Sequence, residues 1–275
     1  MEGKVKAVSK ELNNNGIHFE TKLQQEEESV TQDIQVQCDD KISEEEKNKI
    51  RLMRALVEKQ DPSSKEVDDF EIRRFLHAMD LDVDKASAML LKCLKWKKHI
   101  APNGSISASE APNEIAHNKM FLQGVDKQGR PIAVILGSRH FQNKLGGLDE
   151  LKRFVVLALD KLCSRTSPGR EKFVVIVDLQ GFGYANSDAR AYIWALSILQ
   201  DCYPERLEKI LGVKIPYLFW TLWKIVSPFI DNKTKKKIMF VENKRLMTTL
   251  LQDIDESQLP EIYGGKMPLV PIHEA

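Results

Sequence analysis

Four lysines, Lys233 and Lys235 to Lys237, stand just after the apolar run LFWTLWKIVSPFI at residues 218–230. Clustered ammonium groups beside tryptophan suit a lipid surface, where lysine meets phosphate and the indole ring sits at the boundary between oil and water. The same lysines also suit a solvated loop, the commoner use of such a tract. A second candidate for chemistry is VVIVDLQGFGYANSDA, where Gly181 and Gly183 follow a strand-like run and precede a helix-like one, the placement of a dinucleotide-binding loop. Asn186 stands where the third glycine belongs, and no strand-terminal acidic residue lies at the distance that would hold a ribose. The pair therefore reads as a strand-to-helix turn. No G-x-S-x-G elbow, no G-x-x-x-x-G-K-[ST] phosphate loop and no H-E-x-x-H zinc motif occurs, and the six histidines are scattered. The chain reads as a non-enzyme, without metal or cofactor.

The bulk numbers narrow the class further. Lysine plus arginine at 41 against aspartate plus glutamate at 40 leaves a net charge of +1, so no global field draws the chain to nucleic acid. Any electrostatic partner must meet a local patch. Cys38, Cys93, Cys163 and Cys202 form no C-x-x-C pair, which argues against zinc and against a disulfide framework and points to a reducing cytosol. At 275 residues and 42% hydrophobic content, the chain is long enough for a sizeable core. The opening MEGKVKAVSKELNNNG holds no apolar leader, and no run of about 18 apolar residues occurs, so a soluble, cytoplasmic protein is expected.

The elements that must position the lysines and the apolar run follow from periodicity. Residues 1–41, rich in Glu, Gln, Asn and Asp, read as a disordered acidic tail. A helix opens at SEEEKNKIRLMRALVEK with Ser43 and Glu46 as a capping box, a second follows at DDFEIRRFLHAM, and a third at DVDKASAMLLKCLKWKKH with Asp82 as its cap. These make a small helical subdomain over 42–100, set off by the Pro- and Ser-rich APNGSISASEAPNE. Beyond it, DKQGRP reads as a turn, and IAVIL (132–136), KFVVIVDL (172–179), GVKI (212–215) and KIMFV (237–241) as strands. LDELKRFVVLALDKL (148–162) and DARAYIWALSILQDCY (188–203) read as helices between them. Strands without polar alternation, alternating with helices, predict an α/β fold with a mostly parallel sheet. Between Pro216 and Pro228 a helix would gather Thr221, Lys224 and Ser227 on one stripe and be oily on nearly every other side. It is either a central buried helix or a lid over an apolar cavity.

Several blocks together resemble the CRAL-TRIO lipid-binding fold in its Sec-fourteen-like phosphatidylinositol-transfer branch. They are LPEIYGG (259–265), CYPERLEKILGVKIPYLFWTLWKIVSPFIDNKTKKKI (202–238), VDLQGFG (177–183), DKQGRP (126–131) and RRFLHAMDLDVDKASAMLLKCLKWKK (73–98). The likeness runs in order from about residue 45 to 268 and implies a lipid-binding domain over 112–268, with a sheet floor, helical walls and a mobile gate helix preceded by a helical tripod. It casts Phe219, Trp220, Leu222, Trp223 and Val226 as the gate. It places an inositol headgroup on Thr234 and Lys237, with Glu205 coupling that lysine to the gate and Arg206 on the headgroup side. Two departures stand out: His77 and Met79 occupy positions of an arginine-x-arginine pattern, and the positions of a choline-lipid site, Leu122, Ala133, Phe173 and Val175, carry no hydroxyl.

The resemblance implies a monomeric carrier that extracts one phospholipid, phosphatidylinositol first of all, at a transiently touched membrane surface, and presents it to a lipid kinase or another membrane. The departures keep open a sensor or adaptor of the same fold that binds a sterol or isoprenoid without transferring phosphatidylcholine.

Overall fold

In the computed structural model, residues 42–142, 147–167 and 169–275 are described; the stretch read as an acidic tail lies outside them. Glu46–Ala275 forms one compact unit. Three helices open it: α1 (Glu44–Gln60), α2 (Asp69–Ala78) and α3 (Val83–Ile100). The side chains of Asp68 and Asp82 cap α2 and α3 by accepting from the amides of Glu71 and Lys85, so both starts are written locally. Met53, Phe75, Leu76, Leu90 and Cys93 are buried in a core that these helices share with the sheet.

A short helix α4 (Pro112–Ala116) leads to the strands β1 (Met120–Val125) and β2 (Pro131–Leu136). Then follow α5 (Gly147–Ser164), β3 (Phe173–Asp178), α6 (Ala189–Cys202) and β4 (Leu207–Val213). The chain continues through α7 (Phe219–Val226), α8 (Asn232–Lys235), β5 (Ile238–Phe240) and α9 (Leu246–Asp253). The five strands lie in the order β1-β2-β3-β4-β5; β1 runs antiparallel to β2 and every other pairing is parallel. The α/β fold and its mostly parallel sheet are therefore as the sequence predicts.

Strands β1 and β4 and helix α9 differ from the sequence reading. Strand β1 was not anticipated, although the DKQGRP turn that follows it is the hinge of a hairpin: Asp126 accepts from the amides of Gln128 and Arg130, and its second oxygen receives the Arg130 guanidinium at 2.6 Å. Strand β4 starts five residues before the expected GVKI, because Glu208 and Lys209 disguise it as a polar loop. Both are neutralised within the fold, Glu208 by Arg130 at 2.7 Å and Lys209 by Asp253 at 2.7 Å. Helix α9, also unanticipated, covers the second face of the sheet, where Leu250 joins Ile132, Val134, Ile176 and Leu211 in a separate core. The first face, with Ile135, Val175, Val177 and Ile210, is left to α5, α6 and α7.

Candidate functional site

That first face is not filled. A cavity of ≈ 270 Å³ lies between the sheet and the three helices. Phe173, Val175, Val177, Ile210 and Ile238 make its floor, Phe154, Ala158 and Leu162 of α5 one wall, and Ala195, Leu196 and Leu199 of α6 the other. Its lining is almost wholly apolar, as in most small-molecule sites.

Helix α7 is the roof. Phe219, Leu222, Trp223 and Val226 line the cavity, and Leu222 and Val226 are buried. Trp220, grouped with them in the sequence reading, does not line it: it is 38% exposed on the outer side of the roof. The helix is shorter than the span between its flanking prolines. The amides of Phe219, Trp220 and Thr221 donate to carbonyls three residues back, giving a tight first turn, and Ser227–Phe229 forms a second such turn into which Pro228 fits without losing a bond. No side chain caps its start, so side-chain packing and not local capping holds α7 down. The ring of Phe240 provides much of that packing, with its centroid 5.0 Å from Trp220, 5.0 Å from Trp223 and 5.8 Å from Phe219. Gly212 makes room for it, since a methyl group there would stand 2.9 Å from the Phe240 ring. On the outer side, Ile225 is 51% exposed and Tyr217 and Phe229 are also exposed, leaving an apolar strip on the roof.

The lysine tract lies at the amino end of β5. Lys237 pairs with Glu205 at 3.5 Å. Glu205 holds φ at +57°, a left-handed conformation that costs a non-glycine residue about 1 kcal/mol or more. The Thr234 hydroxyl donates to Asp231 at 2.7 Å while Asp231 also accepts from the Thr234 amide at 2.8 Å, so this threonine is part of the cap of α8. Burial alone would raise the Asp231 carboxyl, but these hydrogen bonds outweigh it and hold it below its ordinary range. Lys233 reaches Asp80 at 2.7 Å and the carbonyls of His77 and Ala78, tying the tract to the end of α2. His77 itself binds Glu46 at 2.7 Å, and Met79 is the residue that ends α2.

Arg206, cast on the headgroup side, is engaged by Thr166 and Glu171. Its guanidinium donates to the Thr166 hydroxyl and the Glu171 carbonyl, and Glu171 also receives the buried Arg74. The hydroxyl-free set is likewise divided. Phe173 and Val175 line the cavity, whereas Leu122 and Ala133 do not: they pair across β1 and β2, towards the sheet edge, and are packed into the core shared with the N-terminal helices.

Sequence reasoning missed a polar group inside the cavity. Lys119 and His140 both line it and are 5% and 6% exposed. Lys119 donates to Glu114 and, at 2.9 Å, to Nδ1 of His140. The Tyr192 ring lies 5.3 Å from the imidazole. Asn186, from the G-x-G loop, donates to the carbonyls of Ser138 and His140 and accepts from the Gly183 amide, so that loop pins the histidine and is a structural turn. The 21 residues separating Lys119 from His140 give no local pattern that could have joined them.

The CRAL/TRIO domain profile matches residues 115–265, more than half of the chain. The chain belongs to the CRAL-TRIO family. Among curated relatives, the phosphatidylinositol/phosphatidylcholine transfer protein SFH4 of Arabidopsis thaliana is 30% identical over 217 residues, covering 72% of this chain and 36% of SFH4. Patellin-4 of the same plant is 26% identical over 205 residues, covering 72% of this chain and 38% of its own. The match thus spans little more than a third of these relatives. Among solved structures, the crystal structure of Sfh5 superposes with a TM-score of 0.56 at 16% identity, over 75% of this chain and 83% of that one, a likeness of fold. CRAL-TRIO domains are a lipid-binding and transfer family, and the roofed apolar cavity is what such a role requires. No described helix is long and apolar enough to cross a membrane.

Proposed function

We propose that this protein is a non-enzymatic carrier that takes one lipid, phosphatidylinositol first of all, from a membrane into the cavity under α7 and releases it at another membrane or to a lipid-modifying enzyme. The observation that carries this reading is the roof itself, whose inner side closes an apolar cavity while its outer side exposes Tyr217, Trp220, Ile225 and Phe229. An apolar strip on a short helix without a capping side chain fits brief contact with a bilayer. The nearby lysines add about 1 kcal/mol each at an anionic surface, too little for permanent attachment.

In this reading Lys237 meets the inositol phosphate and exchanges it for Glu205 when the cavity empties. Phosphate and carboxylate then alternate as partners of one ammonium group, so neither state leaves it unpaired. Transfer of labelled phosphatidylinositol between vesicles tests the assignment. Lys237→Ala should slow transfer by about tenfold, the worth of one charge-assisted hydrogen bond, while changing stability by less than about 1 kcal/mol because the pair is partly solvated. Unchanged transfer in Lys237→Ala and Thr234→Ala would remove the headgroup assignment.

The cavity volume favours a second cargo class. At ≈ 270 Å³ it sits below the roughly 300–1,000 Å³ of ordinary small-molecule sites, so in this closed shape it suits a compact hydrophobic ligand such as a sterol or isoprenoid. Mass spectrometry of lipid co-purifying with the protein separates the two.

A further inference from the structure

The sheet is closed at one edge and open at the other. Residues 270–272 run along the outside of β1, where the Leu122 amide donates to the Val270 carbonyl and the Ile272 amide to the Met120 carbonyl, both at 3.0 Å. Outside β5 no further strand stands among the described residues. The Lys237 carbonyl accepts from the Ile210 amide and the Val241 amide donates to Gly212, so alternation along the parallel ladder turns the amides and carbonyls of Ile238 and Phe240 away from β4. Among the described residues these outward groups have no hydrogen-bond partner.

Side chains mark the same edge as unfinished. Met239 stands in register with Leu211, yet Leu211 is 0% and Met239 49% exposed. On the other face, the partly exposed Trp220 packs its ring against that of Phe240. A strand added about 4.8 Å outside β5 would lay alternate side chains against Met239 and Trp220. Charge then decides the occupant. Lys235 and Lys236 precede the strand and Lys244 follows it, and none of the three has an ion pair among the described residues, whereas Lys233, Lys237 and Arg245 are paired. The stretch KTKKKIMFVENKR (233–245) carries six cations and one anion, so two copies of it repel each other, the usual guard of an edge strand against self-association. A bilayer offers phosphate to the lysines but no row of donors and acceptors in register with the edge.

We propose that the outer edge of β5 docks a short extended segment of an acidic protein partner, which adds to the sheet as a sixth strand. Its backbone satisfies Ile238 and Phe240, a short apolar centre covers Met239 and Trp220, and carboxylates at its two ends meet Lys235, Lys236 and Lys244. Backbone hydrogen bonds supply the affinity in this mode of recognition, and the flanking charges supply the choice of partner. Such docking does not depend on what fills the cavity. It also sets the partner in competition with an anionic membrane for the same lysines.

Titration of the nitrogen-15-labelled full-length chain with the end-blocked peptide DEVTVTED tests it. The amide resonances of Ile238 and Phe240 should move more than that of Met239, whose amide already faces β4. The peptide DEVPPTED, which lacks central amide donors on either of its edges, should bind about tenfold more weakly, and KKVTVTKK should not bind. Lys235→Glu combined with Lys244→Glu should weaken DEVTVTED about tenfold, as two ion pairs become repulsions, while the resonance shifts of the unmodified chain stand apart from how that variant folds. No binding of DEVTVTED, equal affinity for DEVPPTED, or shifts confined to the lysines overturns the added strand. Vesicles of phosphatidylserine that move the Ile238 and Phe240 amides as the peptide does would assign the edge to a membrane, and the same movement on concentrating the chain alone would assign it to a second copy; either result overturns the peptide site.

Discussion

Lysine 237 and threonine 234 show how one short segment divides its labour. Asp231 caps α8 and in doing so fixes the Thr234 hydroxyl, so a ligand must compete with a carboxylate for it, whereas the Lys237 ammonium is held by a longer, half-solvated pair. Asp231→Ala should cost about 1 kcal/mol of stability in denaturant unfolding, the usual worth of an N-cap. His140 has a pH signature of its own. Burial first, then the charge of Lys119 and the neighbouring His117, lower its imidazole from 6.5 to about 4, against the opposing pull of Asp188. The unfolded chain takes up this proton near pH 6.5 and the folded chain does so only near 4. The stability tied to the neutral ring is therefore complete above pH 6.5 and is lost as pH falls from there to about 4. Urea midpoints at about pH 7 and about pH 5 should differ less in His140→Phe than in the parent, with Lys119, Glu114, Asp188 and His117 left in place.

At the scale of elements, α7 has no capping side chain at its start and Phe240 of β5 is its latch. Phe240→Ala removes the ring against which Trp220 and Trp223 pack, and should lower stability by about 2–3 kcal/mol, somewhat below a fully buried phenylalanine. Tryptophan emission from the roof should shift to the red as both indoles meet water. Ile225→Asp works on the other side of the same helix. Because Ile225 is half exposed, the melting temperature should hardly move, yet binding to vesicles and lipid transfer should both fall by about tenfold or more, since a carboxylate replaces an apolar contact at the bilayer surface. A variant that binds vesicles as well as the parent would mean that the roof does not face the membrane.

At the scale of the whole molecule, the cavity makes stability a function of cargo. A lipid that binds only the folded chain adds about 2.7 kcal/mol when present at a hundred times its dissociation constant. For a domain of this size that should raise the melting temperature by about 5–10 °C, measurable as a shift between delipidated and reloaded protein. The sequence by itself determined the alternation of strand and helix, the parallel sheet, the apolar helix near Pro228 and the family, because each is written in neighbouring residues as periodicity, turn chemistry or a motif. Strand β4 was half hidden because Glu208 and Lys209 look like loop residues until Arg130 and Asp253 arrive to neutralise them. Only the tertiary structure decided that the face under α7 stays hollow, that Trp220 turns outward while Trp223 turns in, that Arg206 serves Glu171, and that Lys119 meets His140 inside the cavity. The physical reason is that a pattern of hydrophobicity says which side chains leave water. Whether they then fill space or enclose it depends on the volumes that distant elements bring together.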